Sequence, residues 1–489
     1  MSSLPVSTVY KVGTLAYTRA SIVALFFYLL WGDFCFSLME TVMPSLLPIR
    51  LAQLSAPNWM VGLIITTIPN LMTLMVNPVV SFRSDRFRSR WGRRIPFLAI
   101  ASPFVVVFLI LLGMSEPISH ALQHYALGSK FAPLTVLLGV ICVLMVLFQM
   151  FNAVIQSIYY YLFNDVVPSE MLARMMTLFR IVGTLAGSIY SWFVFPYSEG
   201  HLGEIFIGAG LIYLIGFGIM CAGVKEGKYP PPPENVGNQH GVLAAVETYA
   251  AECFTHRFYW FIFLANACWA MTWASGPFSQ PAALQYMGFD RLFTGHLGTI
   301  TGIAGMILLF PGGILADRFH PLRIMLLGLF CILCIDPLWI TFYFFRHSLS
   351  LHTAQVINIS LSVVSVPLGT LSAAGEIALF MRILPKERYG QFCSANALVR
   401  SLALIFGGVA CGALLDAAKS LTPSPDDCYR FVPVWNFVFR CGQVFFYYLV
   451  YREWKKLGGT KSFQPPNAEA PQYLRRFFAR FRGSTQSSL

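Results

Sequence analysis

The chain alternates long apolar stretches with short polar connections. Stretches of roughly 20 residues, the length a helix needs to cross the hydrocarbon core of a bilayer, lie near 21–43, 59–81, 95–114, 133–163, 178–196, 204–224, 258–284, 294–316, 322–345, 354–382, 396–416 and 431–451. This pattern predicts an all-α membrane protein with twelve transmembrane helices. An even number of spans places both termini on one side of the membrane.

Composition and charge support this prediction and orient it. With 56% hydrophobic and 11% charged residues, the 489-residue chain is too apolar for a soluble fold. The net charge of +12 is spread over short loops rather than one face, so a nucleic-acid partner is not expected. Of the 34 Lys and Arg residues, 26 fall on the side of the N-terminus and six on the other, while Arg400 and Arg440 fall within spans. The positive-inside rule then predicts cytoplasmic termini, in a plasma or bacterial inner membrane.

A proline run divides the chain into two similar parts. We expect an N-terminal six-helix bundle at 1–224, a cytoplasmic linker at 225–257, a C-terminal six-helix bundle at 258–451 and a basic cytoplasmic tail at 452–489. The linker's prolines favour an extended spacer. Apolar positions at helical spacing in 242–254 predict either a short amphipathic helix on the membrane surface or an ordinary linker. SDRFRSRWGRR after the second span has an echo, ADRFHPLR, after the eighth, so we interpret the bundles as pseudo-symmetric repeats.

The loop Ser81–Arg94 concentrates six arginines and one aspartate between two spans. Asp85 could interact with the positive N-terminal end of a neighbouring helix, and the arginines could bind carboxylates or helix C-terminal carbonyls. Such contacts could hold the two halves together on the cytoplasmic side. The alternative is that these arginines only fix the orientation of the chain.

The loop resembles the signature G-x-x-x-D-R-x-G-R-R of the major facilitator superfamily. Matching positions are Asp85, Arg86, Gly92, Arg93 and Arg94, with Ser81 in place of the first glycine. The extra residues before Gly92, followed by Pro96 and Phe97, are most similar to the sucrose-proton symporters, and more loosely to the glycoside-pentoside-hexuronide cation symporters. The resemblance implies transport by alternating access and a cytoplasmic gate formed by the matching residues together with Asp317 and Arg318 of the echo.

Carboxylates within the spans are candidates for proton coupling. Each costs about 2.5 to 3.5 kcal/mol in a bilayer, so it must face a cavity or a partner. Asp33 and Glu40 share one helical face with Ser37, and Asp33 is the more central, whereas Glu40 could also be interfacial. Glu376 either accepts a proton or pairs with an arginine such as Arg400.

Two further charges, Asp336 and Arg440, lie at similar depth in the ninth and twelfth spans. Each is nine residues from the same side of the membrane in the predicted spans. Because a buried charge needs a partner, we predict a structural ion pair between them.

Uncharged polar residues form stripes at helical spacing on four spans. Amides and aromatic rings suit a polyhydroxylated ligand, whose hydroxyls need hydrogen bonds and whose C–H faces stack on rings. Interhelical hydrogen bonding is the alternative for each residue. The substrate-binding candidates are Asn70, Gln149, Asn152, Gln156, Asn266, Trp269, Trp273 and Asn358.

These features together predict a secondary transporter, with proton-coupled symport of a sugar or glycoside as the leading hypothesis. Sodium coupling, export of apolar compounds, and a non-transporting assembly factor of the same fold are alternatives. The chain contains neither a P-loop nor a recurring metal-ligand pattern nor a nucleophile with a neighbouring base, so we expect no enzyme activity, metal or cofactor. The expected partners are the small-molecule substrate, the coupling ion and the lipid bilayer, and we expect a monomer.

Overall fold

The computed structural model describes residues 10–127, 130–229 and 253–466. The proline run, nearly all of the predicted amphipathic segment 242–254 and most of the basic tail lie outside the described residues. The predictions made for those segments therefore stay predictions.

Long helices follow one another along the chain, joined by short connections. They are α1 (Arg19–Gln53), α2 (Asn58–Arg86), α3 (Ile95–Gly113), α4 (Pro133–Val166), α5 (Leu172–Ile189), α6 (Leu202–Gly223), α7 (Arg257–Trp273), α8 (Arg291–Phe319), α9 (Pro321–Phe344), α10 (Leu351–Ile383), α11 (Tyr389–Lys419) and α12 (Val432–Lys456). Each coincides with one apolar stretch of the sequence. Within the described ranges, 10 helices are long and apolar enough to cross a membrane, all of the above except α7 and α12. The protein is therefore an all-α, multi-pass membrane protein.

Helix α1 extends beyond its predicted span, through two prolines. α1 continues past Pro44 and Pro48, although a proline removes a helix hydrogen bond. Leu46, Leu47 and Ile49 beside these prolines are buried, so packing holds the last turns in helical form.

The seventh apolar stretch is broken rather than continuous. α7 ends at Trp273, and the chain continues through the short helical turns Gly276–Phe278, Ser279–Pro281 and Ala282–Tyr286. Pro277 and Pro281 lack the backbone N–H that a continuous helix would need. The loop after α2 is also shorter than expected, because that helix runs on to Arg86.

One compact unit contains 10–229 together with Gly276–Met306 and Gly407–Tyr429. An aromatic cluster of Phe36, Tyr159, Tyr213 and Phe217 fills its interior between α1, α4 and α6. At the N-terminus, strands β1 (Tyr10–Val12) and β2 (Leu15–Tyr17) form an antiparallel hairpin that the sequence did not predict. The hairpin is tied to the end of α6, since Thr14 accepts a hydrogen bond from the backbone N–H of Lys228 at 2.7 Å.

The other compact unit contains 253–275, Ile307–Phe406 and 430–466. Its core gathers large side chains from α7, α9, α10, α11 and α12, among them Phe258, Tyr259, Phe392, Tyr447 and Trp454. Two of the boundaries between the units fall inside helices, one in α8 and one in α11. This grouping differs from the predicted bundles 1–224 and 258–451, which stay a prediction about the bodies that move during transport.

Candidate functional site

A fully buried carboxyl group lies in the interior of the first unit. Asp33 of α1 is 0% exposed, and its Oδ1 accepts a hydrogen bond from Ser37 one turn along the helix at 3.3 Å. Among the described residues, Oδ2 has no hydrogen-bond partner. The nearby Tyr159 hydroxyl donates instead to the backbone oxygen of Leu29 at 2.5 Å. Asp33 is thus a buried acid without a counter-charge.

Glu40 lies two turns further along α1 and contacts the polar stripe of α4. Asn152 Nδ2 donates to Glu40 Oε1 at 2.7 Å, and Gln156 Nε2 donates to Oε2 at 2.8 Å. Asn152 also donates to Gln149 at 3.3 Å. The carboxylate is half-buried and held between α1 and α4. Three predicted substrate ligands and one predicted proton site therefore form a single cluster, which we call the Glu40 cluster.

The polar stripe of α2 mostly satisfies hydrogen bonds within its own unit. Asn70 Nδ2 donates to the backbone oxygen of Thr66, one turn back in the same helix, at 2.8 Å. Asn77 accepts a hydrogen bond from Ser157 of α4. Asn70 is half-buried and uses one of its two amide N–H groups locally, and its role as a substrate ligand stays a prediction.

Asn266 of α7 takes part in a hydrogen-bond network between helices. Its Nδ2 donates to Asn396 of α11 at 2.9 Å, and its Oδ1 accepts from the Tyr447 hydroxyl of α12 at 3.0 Å. Asn266 is 1% exposed, and its role as a substrate ligand stays a prediction. Asn396 was missed because it stands alone among small and apolar residues.

The tryptophans of α7 lie beside the charged pair of the second unit. Trp269 and Trp273 have ring centroids 5.5 Å apart, and Trp273 is 63% exposed. The Arg400 guanidinium lies 4.3 Å from the Trp269 ring centroid, and its charge interacts with that of Glu376. Asn358 lies 18 residues before Glu376 on α10, about 27 Å of helix, and so does not belong to this group.

Asp336 and Arg440 join α9 to α12. Arg440 Nε donates to Asp336 Oδ2 at 2.7 Å, and the two side chains are 20% and 10% exposed. Their contact is the one that their matching depth in the sequence indicated. The structural role that we assign to the pair stays a prediction.

In the basic loop, Arg93 and Arg94 share one carboxylate. Arg93 forms a bidentate contact with Asp165 at 2.5 and 2.9 Å, and Arg94 Nε reaches the same carboxylate at 3.0 Å. Arg94 also binds Asp85 and Ser84. Arg86 instead lies over the Phe82 ring at 3.5 Å. Asp165, at the end of α4, was missed because sequence alone does not identify which carboxylate an arginine binds.

Glu226 lies at the N-terminal end of α3, the kind of position that the sequence suggests for Asp85. Its carboxylate accepts the backbone N–H groups of Arg93, Arg94 and Ile95 at 2.9, 2.8 and 2.7 Å, at the start of α3. Within the first unit, Asp85 binds Arg94 instead and its side chain is 53% exposed. Glu226 directly follows the sixth span, in a segment we had interpreted only as a spacer.

Tyr229 and Gly92 complete this contact. The Tyr229 hydroxyl donates to Glu226 at 3.0 Å, and burial raises the pKa of this hydroxyl above its usual range, so it remains a donor. Gly92 has φ +105°, and a Cβ atom there would overlap the Glu226 side chain. Both features require glycine at this position.

The echo of the loop in the second unit is differently built. Arg382 of α10 donates to Asp317 at 3.1 Å, while Arg318 is exposed near Phe319. Between α8 and α9, His320 has φ +78° and caps α9 by accepting from the backbone N–H of Leu322. Burial, with the nearby charges of Arg382 and Arg323, lowers the pKa of His320 to about 4.

At the other end of α2, a carboxylate of α11 caps the helix. Asp416 accepts the backbone N–H of Asn58 at 2.9 Å and that of Trp59 at 2.8 Å. The backbones of Gly62 and Gly408 are in direct contact, so that a Cβ atom on either would overlap the other chain. Because α2 is 29 residues long, roughly 43 Å, this contact lies at the membrane side opposite the basic loop. The sequence did not single out Asp416, which ends a predicted span.

Residues 29–408 match the model of the Major Facilitator Superfamily. The chain belongs to this family and is a secondary transporter that moves a small molecule across a membrane. Family members are transporters and not enzymes.

Solved structures agree on the fold. A bacterial homologue of the human lysosomal transporter Spinster, inward-facing and unoccupied, is 16% identical with a TM-score of 0.65, over 90% of this chain and 99% of that one. The nucleoside transporter NupG is 13% identical, with a TM-score of 0.61, over 88% of this chain and 99% of that one. The D-xylose-proton symporter is 11% identical, with a TM-score of 0.57, over 92% of this chain and 98% of that one.

Proposed function

We propose that this protein is a proton-coupled symporter of a sugar or glycoside that works by alternating access. In this proposal the bundles 1–224 and 258–451 move about a central site, and both termini are cytoplasmic in a plasma or bacterial inner membrane. The observation that carries the proposal is the fully buried Asp33, two turns from the Glu40 cluster, whose Oδ2 has no hydrogen-bond partner among the described residues.

Proton coupling follows from the cost of burying charge. An ionised carboxylate without a partner is very unfavourable in an apolar interior, whereas the neutral acid is tolerated. Asp33 would therefore bind a proton while it is enclosed and release it when water reaches it. Glu40 accepts two amide hydrogen bonds, so its charge is better satisfied and it is the weaker candidate.

The sugar hypothesis rests on chemistry and on the loop. Gln149, Asn152 and Gln156 of the first unit supply amides that fit the hydroxyls of a sugar. In the second unit, Trp269 and Trp273 supply ring faces that fit its C–H surfaces. The loop through Pro96 and Phe97 resembles that of sucrose-proton symporters. One structural neighbour is a symporter for D-xylose and protons, although its likeness to this chain extends to the fold alone.

The proposed orientation makes the loop Ser81–Arg94 cytoplasmic, because 26 Lys and Arg residues fall on that side and six on the other. The contact of Asp416 with the start of α2 is then external. We propose that it holds the external end closed, and that Asp85, Arg86, Gly92, Arg93, Arg94, Asp317 and Arg318 belong to the cytoplasmic gate.

The test is transport by the purified chain in proteoliposomes. A panel of labelled sugars is offered with an inward proton gradient, an inward sodium gradient or neither. We expect accumulation of at least one sugar with the proton gradient only. Accumulation with sodium alone would change the coupling ion, and transport of apolar compounds but not sugars would favour an exporter. Absence of any transport by well-inserted protein would favour an assembly factor.

Asp33→Asn tests the coupling residue. The amide keeps the shape of the side chain but does not exchange a proton, so gradient-driven accumulation should be lost while sugar counterflow, which needs no net proton movement, is retained. Asp426→Asn is the matched control, because Asp426 is exposed. Normal accumulation by Asp33→Asn would remove this residue from the mechanism.

A further inference from the structure

A cavity of about 590 Å³ lies between α3 and α6, on the outside of the aromatic cluster. This volume is within the range of ligand pockets. Small or apolar side chains line it, among them Ala99, Pro103, Gly218, Cys221 and Ala222. A Cβ atom added to Gly218 would meet open space. The cavity is therefore a groove with room for an apolar chain.

The length of the groove matches one leaflet of a bilayer. Its lining extends from Ile95 to Pro103 on α3 and from Val224 back to Leu214 on α6. Eight and ten residues of helix correspond to roughly 12 and 15 Å. Half of a typical hydrocarbon core is about 15 Å. A groove of this depth fits a single acyl chain.

The mouth of the groove carries two basic side chains that have no ion pair among the residues that the structure describes. Arg90 and Lys225 are exposed, and neither has a hydrogen bond or ion pair to another residue in the described part of the chain. Their neighbours differ, since Arg93 and Arg94 bind Asp165. The acid in the lining, Glu226, is already bound by backbone N–H groups.

An exposed tryptophan marks the same level. Trp91 lines the mouth and is 67% exposed. Tryptophan is enriched where a membrane meets water. Its position places Arg90 and Lys225 at the height of lipid headgroups.

We propose that this groove binds one anionic phospholipid from the leaflet on the side of the Ser81–Arg94 loop. The phosphate lies between Arg90 and Lys225, and one acyl chain lies along Gly218 and Ala222. Clusters of basic residues beside a membrane attract anionic headgroups, and basic pockets between transmembrane helices bind them specifically. The site is separate from the proposed transport path and does not depend on the substrate.

The test measures the thermal unfolding of the purified full chain in detergent while phosphatidylglycerol or phosphatidylcholine with the same acyl chains is added. We expect a saturable rise in Tm with phosphatidylglycerol and little or none with phosphatidylcholine. Arg90→Gln with Lys225→Gln should raise the half-saturating lipid concentration at least about fivefold. Arg174→Gln with Arg452→Gln is the charge-matched control, because both of these residues are exposed and distant from the lining in sequence.

Gly218→Leu tests the acyl part of the site. The new side chain should fill the groove and weaken the effect of phosphatidylglycerol, whereas Gly208→Leu on the same helix, where a Cβ also meets open space, should not. Any of three results would overturn the proposal. The Tm could rise equally with both lipids, it could rise equally in the two double variants with reduced charge, or glycerol phosphate alone could raise it. If Gly218→Leu does not fold, the double substitution Arg90→Gln with Lys225→Gln still tests the proposal.

Discussion

The contact between Asp416 and the start of α2 gives a quantitative prediction. Asp416→Asn keeps one acceptor oxygen but loses the charge and turns an NH₂ group toward a backbone N–H. A helix cap contributes about 0.5 to 2 kcal/mol, and a charge at a helix end about 0.3 to 2 kcal/mol. We expect the closed form of this end to lose about 1 to 2 kcal/mol, which corresponds to a factor of about 5 to 30 in its population relative to the open form.

Cys428 is a native reporter for this equilibrium. It is 0% exposed, and Asn58 Nδ2 lies 3.6 Å from its sulfur. In a chain whose other cysteines are replaced, a membrane-impermeant maleimide should reach Cys428 only when this end opens. Asp416→Asn should therefore speed labelling of Cys428 by about 5- to 30-fold, in line with the change in population.

The control separates opening from simple electrostatics. Burial raises the pKa of the Cys428 thiol to about 11, and the charges of Asp416 and Asp426 both act in the same direction. Asp426→Asn removes a similar charge without touching the helix end. Equal acceleration in the two variants would assign the effect to thiol reactivity, and an unchanged labelling rate in well-folded Asp416→Asn would refute the role of the cap.

Three further predictions concern stability, each measured by thermal unfolding of the purified chain. Asp336→Asn should destabilise the protein, by up to about 3 to 5 kcal/mol, because it leaves the half-buried Arg440 unpaired. Adding Arg440→Gln should restore part of the loss, and strictly additive effects would contradict the pair. Gly92→Ala should lower Tm more than Gly13→Ala, since both glycines have positive φ but only Gly92 faces a side chain; equal losses would leave backbone strain as the sole cause. The pKa of His320 is lowered to about 4 in the folded protein, so its contribution to stability is present above the unfolded pKa of about 6.5 and is lost as the pH falls toward 4. His320→Asn can still cap α9 and should make the stability depend less on pH over this range. An unchanged pH profile would exclude His320 as the source of the dependence.

The sequence predicted the helices well because a membrane span needs one continuous apolar stretch, and each such stretch is visible by itself. α1 shows the limit of this reasoning. Its last turns contain Pro44 and Pro48, and only tertiary burial of their neighbours keeps them helical. No property of the local sequence reports that burial.

The partners of charged residues were harder to predict than the positions of the helices. Asp336 and Arg440 could be matched because their depths agree, although 104 residues separate them. Asp165 and Glu226 lie 72 and 133 residues from Arg93, at helix ends where many charges occur at similar depth. Asp416 lies 358 residues from Asn58, in the other predicted half of the chain. Depth alone does not decide among candidates at a membrane surface.

The glycine contact between α2 and α11 has an entropic consequence. Gly62 and Gly408 meet without side chains, and glycine has no rotamers to lose when it is buried. Separation of the two helices at this point therefore releases no side-chain entropy, unlike the separation of a leucine-packed surface. Closing this end therefore costs no rotamer entropy at these two positions, which leaves the Asp416 cap with a smaller entropic cost to offset.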